Sequence, residues 1–513
     1  MKTARDKRRG VVYLVGAGPG RADLITVRGA EVLKTADCVI YDKLANPALL
    51  KFARKGAEII HVPKRIGPGS FTQQEINKVL IEKASSGKTV VRLKGGDPCV
   101  FGRCTEEALL CAEAGIDFEI VPGVTAAIAA AGYTGIMLTD REYSSQVVFV
   151  TGREAEGKEQ SNIDWNWLAK FGGTIVFYMG VGNLAAIAEQ LIANGMAETT
   201  PAAVIADATF PSQRVVKASL ARLSDACKKE QVEPPAIIVI GGAADSDARL
   251  NWFMAKPLFG KSIVVTRDVQ GNAKFAARII QQAGNPIEFP TIEIRPLTQA
   301  KKFLQALANF AEYDWVIFTS ANGVITFFDC LRQLGKDSRV FGSAKIAGIG
   351  SETAAKLAEF GIKADLVPDV FTSEELGRQL LKTANLRDRE VLLLRSQLAS
   401  KQLPDLLEQG GAKVDDVPVY DIETVTGQSA WLVEKIAQGK IDWLTFASPS
   451  SANAFFEQIP PDSVNSSAVK VASIGPVTSE ELRSLGAKVD VEANEHTIDG
   501  LLSAMELSEK RVS

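Results

Sequence analysis

Histidine is nearly missing from this chain: His61 and His496 are the only two among 513 residues. A metal centre built from imidazoles is therefore excluded, and a Ser-His-Asp nucleophile would have to rely on one of two residues far apart in sequence. Cysteine is also scarce. Cys38, Cys99, Cys104, Cys111, Cys227 and Cys330 contain no C-x-x-C pair, which points to free thiols in a reducing compartment. No charge sign dominates, with 58 Lys+Arg against 61 Asp+Glu. A generally basic nucleic-acid surface is excluded, while a local basic pocket for an anionic ligand is not. No stretch offers ~20 uninterrupted apolar residues to span a bilayer. The start, MKTARDKRRG before VVYLVGAGPG, imitates a signal peptide. Its apolar run breaks at Gly16, Gly18, Pro19 and Gly20, so a first strand ending in a glycine turn fits better, and the expected location is the cytoplasm.

What is present is enough chain for three to four domains at ~150 residues each. Short apolar runs (VVYLVG, CVIYD, TVVRLKGG, FEIVPG, QVVFVTG, GTIVFYMG, AAVIAD, AIIVIG) alternate with amphipathic stretches rich in Ala, Leu, Glu and Lys. Fully apolar strands between helical segments predict α/β layers with buried, largely parallel sheets. After Ile240 the segment GGAADSDARLNWFMAKPLFGK turns small and polar, which places a domain boundary near residue 250.

The second half repeats itself. YDWVIFTSANGVITFF returns as IDWLTFASPSSANAFF, with Asp314 and Asp442 separated by 128 (442 − 314). SAKIAGIGSETAAKLAEFGIKADLVP returns as AVKVASIGPVTSEELRSLGAKVDVEA, with Gly350 and Gly475 separated by 125 (475 − 350). Two matched blocks imply two similar α/β lobes. In each, a strand runs into a Ser/Thr/Gly-rich turn and then a helix, an arrangement suited to an anionic ligand.

In the first half, GAGPG after strand VVYLV imitates a dinucleotide loop, but Arg21 stands where G-x-G-x-x-G needs glycine. A nicotinamide enzyme therefore stays open as an alternative. The richer signal is LKGGDPCVFGRCTEE, residues 93–107, followed by VPGVTAAIAAAGYTGIMLTDR, residues 121–141. Gly95-Gly96-Asp97-Pro98 stops an apolar strand and leaves bare backbone and one carboxylate at a sheet edge. Thr125 and Ala126 then open a small-residue helix along which a flat ring could lie.

Through VYLVGAGPG, YDKL, the GGDPxVFGR block, VPGVTAAIAA, VFYMG and PAIIVIG, residues 10–242 resemble the uroporphyrinogen-III C-methyltransferases, which are S-adenosylmethionine-dependent tetrapyrrole methylases. The resemblance implies a methylase fold of two α/β subdomains over residues 1–250 and a homodimer through this half. It implies that Pro19, Gly95, Gly96, Asp97, Val100, Thr125, Ala126, Met179 and Ala208 hold S-adenosylmethionine or its product S-adenosylhomocysteine, with Ala208 contributing backbone only. It implies Asp42 as proton acceptor and Lys64 as proton donor. No metal is implied. The chain departs from the family pattern at Asp140 (commonly His), Ala208 (Gly), Cys99 (Phe) and Cys104-Thr105 (Gly-Gly).

From about Gly260 onward, GKSIVVTR, DWVIFTSANGV, IAGIGSETA, VLLLRS, VPVYDIE, LTFASPSS and VASIGPVTSEEL resemble uroporphyrinogen-III synthase. That implies a domain over 258–513 with parallel sheets, one lobe from 258–295 plus 422–513 and the other from 296–421. It implies Tyr420 as the group facing the leaving hydroxyl of hydroxymethylbilane, and Ser320, Thr353, Ser448 and Thr478 as carboxylate-binding residues. Together the resemblances imply a bifunctional enzyme that cyclises hydroxymethylbilane to uroporphyrinogen III and methylates it at carbons 2 and 7 to precorrin-2. Its partners would be these small molecules, with no nucleic acid and no membrane. Two alternatives stay open: methylation of a later corrinoid precursor, and a second half that binds tetrapyrrole without closing it.

Overall fold

The protein is described from a computed structural model over residues 10–62, 71–142, 144–154, 162–427 and 429–510. It divides into two compact units, Met1–Lys261 with Ile280–Asn285, and Ser262–Ile279 with Pro286–Ser513.

The first unit holds two five-stranded sheets. Strands β1 (Val11–Gly16), β2 (Cys38–Tyr41), β3 (Glu58–His61), β4 (Thr89–Lys94) and β5 (Asp117–Val121) are ordered β3-β2-β4-β1-β5, and every pair is parallel. Val12, Leu14, Val39, Ile40, Val90 and Val91 are wholly buried, as expected for a sheet covered by helices on both faces. All five strands therefore deliver their carboxyl ends to one edge.

The second sheet comprises β6 (Val147–Thr151), β7 (Thr174–Tyr178), β8 (Pro201–Ala206), β9 (Arg214–Ser219) and β10 (Ala236–Ile240), in the order β6-β7-β10-β8-β9. Only β6 and β7 are parallel; β10 runs against both β7 and β8, and β9 runs against β8. This departs from the largely parallel expectation. The link from β8 to β9, residues 207–213, is too short for a crossover helix, so the two strands close as an antiparallel pair.

Ten further strands build the second unit: β11 (Ser262–Val265), β12 (Asn285–Glu288), β13 (Ile292–Pro296), β14 (Trp315–Phe318), β15 (Lys345–Gly348), β16 (Glu390–Ser396), β17 (Lys413–Thr424), β18 (Trp443–Phe446), β19 (Lys470–Ser473) and β20 (Val491–Glu492). They form sheets ordered β12-β11-β18-β19-β20 and β13-β17-β16-β14-β15. The repeat read in sequence is structural. Trp315 pairs with Lys345 as Trp443 pairs with Lys470, both in parallel. Asp314 accepts the backbone N–H of Glu390 at 3.0 Å, and Asp442 that of Ser262 at 2.8 Å. Each carboxylate ties its strand to the neighbouring one at the same place.

Both segments that cross between the lobes lie in one sheet. β13 pairs antiparallel with β17 from Ile292↔Thr424 to Pro296↔Tyr420. That ladder carries residues 292–295 and 422–424 into the sheet of the inserted lobe, so the change of lobe falls between Phe289 and Ile292 rather than at 295. The lobe cores are rich in phenylalanine: Phe303, Phe310, Phe318, Phe327 and Phe341 in one, Phe289, Phe446, Phe455 and Phe456 in the other.

Candidate functional site

In the first unit, four glycines, Gly16, Gly18, Gly96 and Gly123, bring the carboxyl ends of β1, β4 and β5 into contact. Gly18 and Gly96 exchange backbone hydrogen bonds of 3.2 and 2.9 Å. A Cβ on Gly123 would stand 2.5 Å from Gly96 O and 2.8 Å from Gly16 Cα, so no larger residue fits that crossing. Asp97 locks the junction, its carboxylate accepting the N–H of Cys99 at 2.7 Å and of Gly123 at 2.8 Å. Beside it, a Cβ on Gly96 (φ 71°) would meet only Ala126 N, at 3.8 Å. The bare backbone is open there to a ligand.

The second sheet supplies the opposite side of the same region. Tyr178, at the end of β7, places its hydroxyl 2.8 Å from Thr125 Oγ1 and accepts the N–H of Ala127 at 3.1 Å. Burial pushes this phenol above the ordinary tyrosine value, partly offset by those hydrogen bonds. Thr209, wholly buried after β8, donates to Pro19 O and accepts from Arg21 N, both at 3.0 Å. Val100, Ala126 and Ala208 pack on one apolar cluster. Met179 is left 53% exposed.

Backbone strain gathers in these loops. Phe101, Arg103, Met179, Asp207 and Thr209 all have positive φ, between 47° and 75°. Each such non-glycine residue costs roughly 1 kcal/mol or more, and persists where the surrounding structure fixes it. Pro19, Gly95, Gly96, Asp97, Val100, Thr125, Ala126, Met179 and Ala208 thus lie on the five loops that these contacts connect. Asp140 is turned to another use: its carboxylate accepts the N–H of Glu142 at 2.8 Å and closes its own turn.

Asp42 sits at the end of β2, mostly shielded. Its carboxylate accepts the N–H of Leu44 at 3.1 Å and pairs with Arg92 Nη2 at 3.2 Å. Arg92 is wholly buried and also meets Glu107 at 3.3 Å, while Lys94 Nζ lies 2.5 Å from the other Glu107 oxygen. Burial alone would raise the Glu107 carboxyl, but Arg92 and Lys94 outweigh it and hold it below its ordinary value. Removing one member of such a buried set costs about 3–5 kcal/mol, because it leaves charge uncompensated. Sequence reasoning did not single out Arg92, Glu107 or Tyr178. Its available signal was two basic residues inside the apolar strand VVRLK. Lys64 lies outside the described residues.

In the second unit, Tyr420 on β17 is 5% exposed, and its hydroxyl stands 2.9 Å from Ser320 Oγ. Burial raises its pKa; hydrogen bonds with Ser320 and Ser396 offset part of the rise. Ser320 also caps the helix Ala321–Gln333, accepting Gly323 N–H at 3.0 Å. Ser448 does the same for Pro449–Phe456, accepting Ser451 N–H at 3.2 Å. Thr353 and Thr478 are buried in the first turns of Ser351–Glu359 and Pro476–Ser484. Those helix starts expose N–H groups, which favour anions. Among the described residues, no three His, Cys, Asp or Glu side chains group to hold a metal, and no helix is long and apolar enough to cross a membrane.

Two family models match this chain: Tetrapyrrole (Corrin/Porphyrin) Methylases over residues 11–224, and Uroporphyrinogen-III synthase HemD over residues 273–503. The chain is 37% identical to the porphyrin biosynthesis protein HemD of Ruminiclostridium josui, covering 97% of each. It is 48% identical to the S-adenosyl-L-methionine-dependent uroporphyrinogen III methyltransferase of Methanosarcina barkeri, covering 45% of this chain and 91% of the relative. Among solved structures, uroporphyrin-III C-methyl transferase of Thermus thermophilus with S-adenyl homocysteine matches at 35% identity and TM-score 0.40, covering 46% of this chain and 94% of that one.

Proposed function

This chain belongs to the porphyrin-biosynthesis proteins that join a tetrapyrrole methylase to a uroporphyrinogen-III synthase, and from that premise we propose that it catalyses two consecutive steps. Its second half closes hydroxymethylbilane to uroporphyrinogen III. Its first half methylates that product at carbons 2 and 7, giving precorrin-2. One observation carries the reading: match to a single relative runs through both halves, over 97% of each chain. Hydroxymethylbilane supplied to the chain should disappear into uroporphyrinogen III, and uroporphyrinogen III with S-adenosylmethionine should gain two methyl groups. Absence of either turnover contradicts the corresponding half.

The glycine crossing suits the methyl donor. Gly96 presents open backbone, Gly95 is pressed against Leu44 where a Cβ would fall 2.4 Å from Leu44 Cβ, Thr125 and Ala126 start a helix beside Gly96, and Pro19, Asp97, Val100, Met179 and Ala208 complete the surround. S-adenosylmethionine supplies an already activated methyl group, so placement is most of what the protein must add. Asp42 accepts the proton that the macrocycle gives up, and Lys64 returns or polarises one. Arg92 keeps the Asp42 carboxylate aimed, since its own guanidinium is held by Glu107 and the backbone of Leu93.

For ring closure, Tyr420 faces the leaving hydroxyl. Its buried phenol stays protonated and can donate, with Ser320 orienting it. Ser320, Thr353, Ser448 and Thr478, through hydroxyls or the N–H groups of their helix starts, hold the substrate's carboxylates. On the same reading the protein acts in the cytoplasm as a homodimer through its first half. The exposed apolar side chains Phe101, Leu109, Phe118 and Ile120 support that contact. Sedimentation of the intact chain as a monomer would contradict the dimer.

A further inference from the structure

The second block of the internal repeat is matched bond for bond in the structure, and the match continues past its end. Asp365 and Asp490 are 125 apart (490 − 365), and each accepts a backbone N–H from the adjacent strand, Ile346 and Val471, at 2.7 Å. Ala347 pairs with Leu366 as Ala472 pairs with Val491, both parallel. Thr372 and Thr497, at the same spacing, cap the helices that follow, accepting Glu375 N–H at 3.2 Å and Gly500 N–H at 3.0 Å. Immediately before each threonine stands a ring: Phe371 in one lobe, His496 in the other.

Both rings lie against the glycine that opens the preceding helix. A Cβ on Gly350 would fall 2.9 Å from Phe371 Cγ, and one on Gly475 would fall 2.7 Å from His496 Cδ2. Both glycines are extended, with φ −169° and 168°, so the ring and not the backbone conformation excludes a larger residue. Yet both rings remain exposed, Phe371 by 56%. They border the first turns that carry Thr353 and Thr478. In the His496 lobe, Ser479 in the next position is wholly buried, and its hydroxyl has no hydrogen-bond partner.

We propose that Phe371 and His496 are a matched pair of substrate-contacting rings for ring closure, a proposal that rests on the synthase reading. Phe371 offers a flat apolar face to a pyrrole. His496 offers an N–H donor to a carboxylate of the same molecule. Tyr420 stands in one lobe alone, but the first turns that the two rings border share one backbone design. One phenyl exchanged for an imidazole makes them chemically unequal, and so sets which end enters which lobe.

The test uses the intact chain turning over hydroxymethylbilane. His496→Phe should fold, because the twin lobe carries phenylalanine on the same local backbone. It is expected to raise KM about tenfold, the loss of one hydrogen bond to a charged group, with kcat changed far less and more isomer I formed. His496→Gln, which keeps an N–H donor, should recover most of the KM. Methyl transfer to supplied uroporphyrinogen III should be unchanged in both. An unaltered KM and isomer ratio in His496→Phe overturns the proposal alone. A wild-type chain that leaves hydroxymethylbilane uncyclised overturns the synthase reading and this proposal with it.

Discussion

The two halves solve their placement problems with different materials. The first half gathers five positive-φ residues, a four-glycine crossing and a buried set of four charges around its candidate site. The second half uses a duplicated, relaxed device: an extended residue, a capping hydroxyl and a helix start, made at matching places in each lobe. A compact, pre-activated donor calls for backbone pressed close and held rigid. A long flexible substrate calls for several anion-holding points spread over two lobes. Strain and buried charge therefore concentrate where one small group must be aimed, and repetition serves where a large molecule must be folded.

The sharpest way to break this comparison is Asp42→Asn. It should lower methyl transfer by about 10²–10⁴-fold, the range for losing a positioned base, while ring closure continues. Radiolabelled methyl counts and isomer analysis on the same sample check both arms, and equal losses in both would erase the division of labour. Tyr420→Phe is the reciprocal change: ring closure should slow about tenfold through one lost hydrogen bond, with methylation intact in a direct assay.

Acid should weaken both halves alike, and more mildly. Glu107 and Asp416 both have carboxyls held below their ordinary value. For each, burial alone would raise it, and the basic partners, Arg92 with Lys94 and Arg395 with Lys401, outweigh that. Each binds fewer protons folded than unfolded, so its contribution is full above about pH 4.5 and fades as pH falls through the lower folded value. Melting followed from pH 7 to pH 3 should fall only at the acid end; a flat profile contradicts the paired charges. The smallest effect is Ser448→Ala, about 1 kcal/mol of stability from one lost cap. Ser320→Ala should cost a similar amount in denaturant unfolding, and should also slow ring closure because Tyr420 loses its partner.

How much of this was readable in advance follows the same division. The lobes of the second half were legible because duplication prints itself as matched blocks, Asp314 with Asp442 and Gly350 with Gly475. The ring pair was not, since Phe371 and His496 share no side-chain type and lie past the matched blocks, and only the fold shows each ring against its lobe's glycine. In the first half, glycine and proline marked the loops. The antiparallel β8–β10 arrangement was hidden, because an apolar run reads alike in either direction. Arg92 and Glu107 were hidden for another reason: fifteen positions separate them (107 − 92), and only the fold makes them partners.

The most direct test supplies the intact chain with hydroxymethylbilane, with and without S-adenosylmethionine, and identifies every tetrapyrrole formed. Uroporphyrinogen III alone without the methyl donor, and precorrin-2 with it, is the expected outcome. Isomer I as the sole product without the donor, or unmethylated uroporphyrinogen III with it, would contradict the account of one chain performing two successive steps.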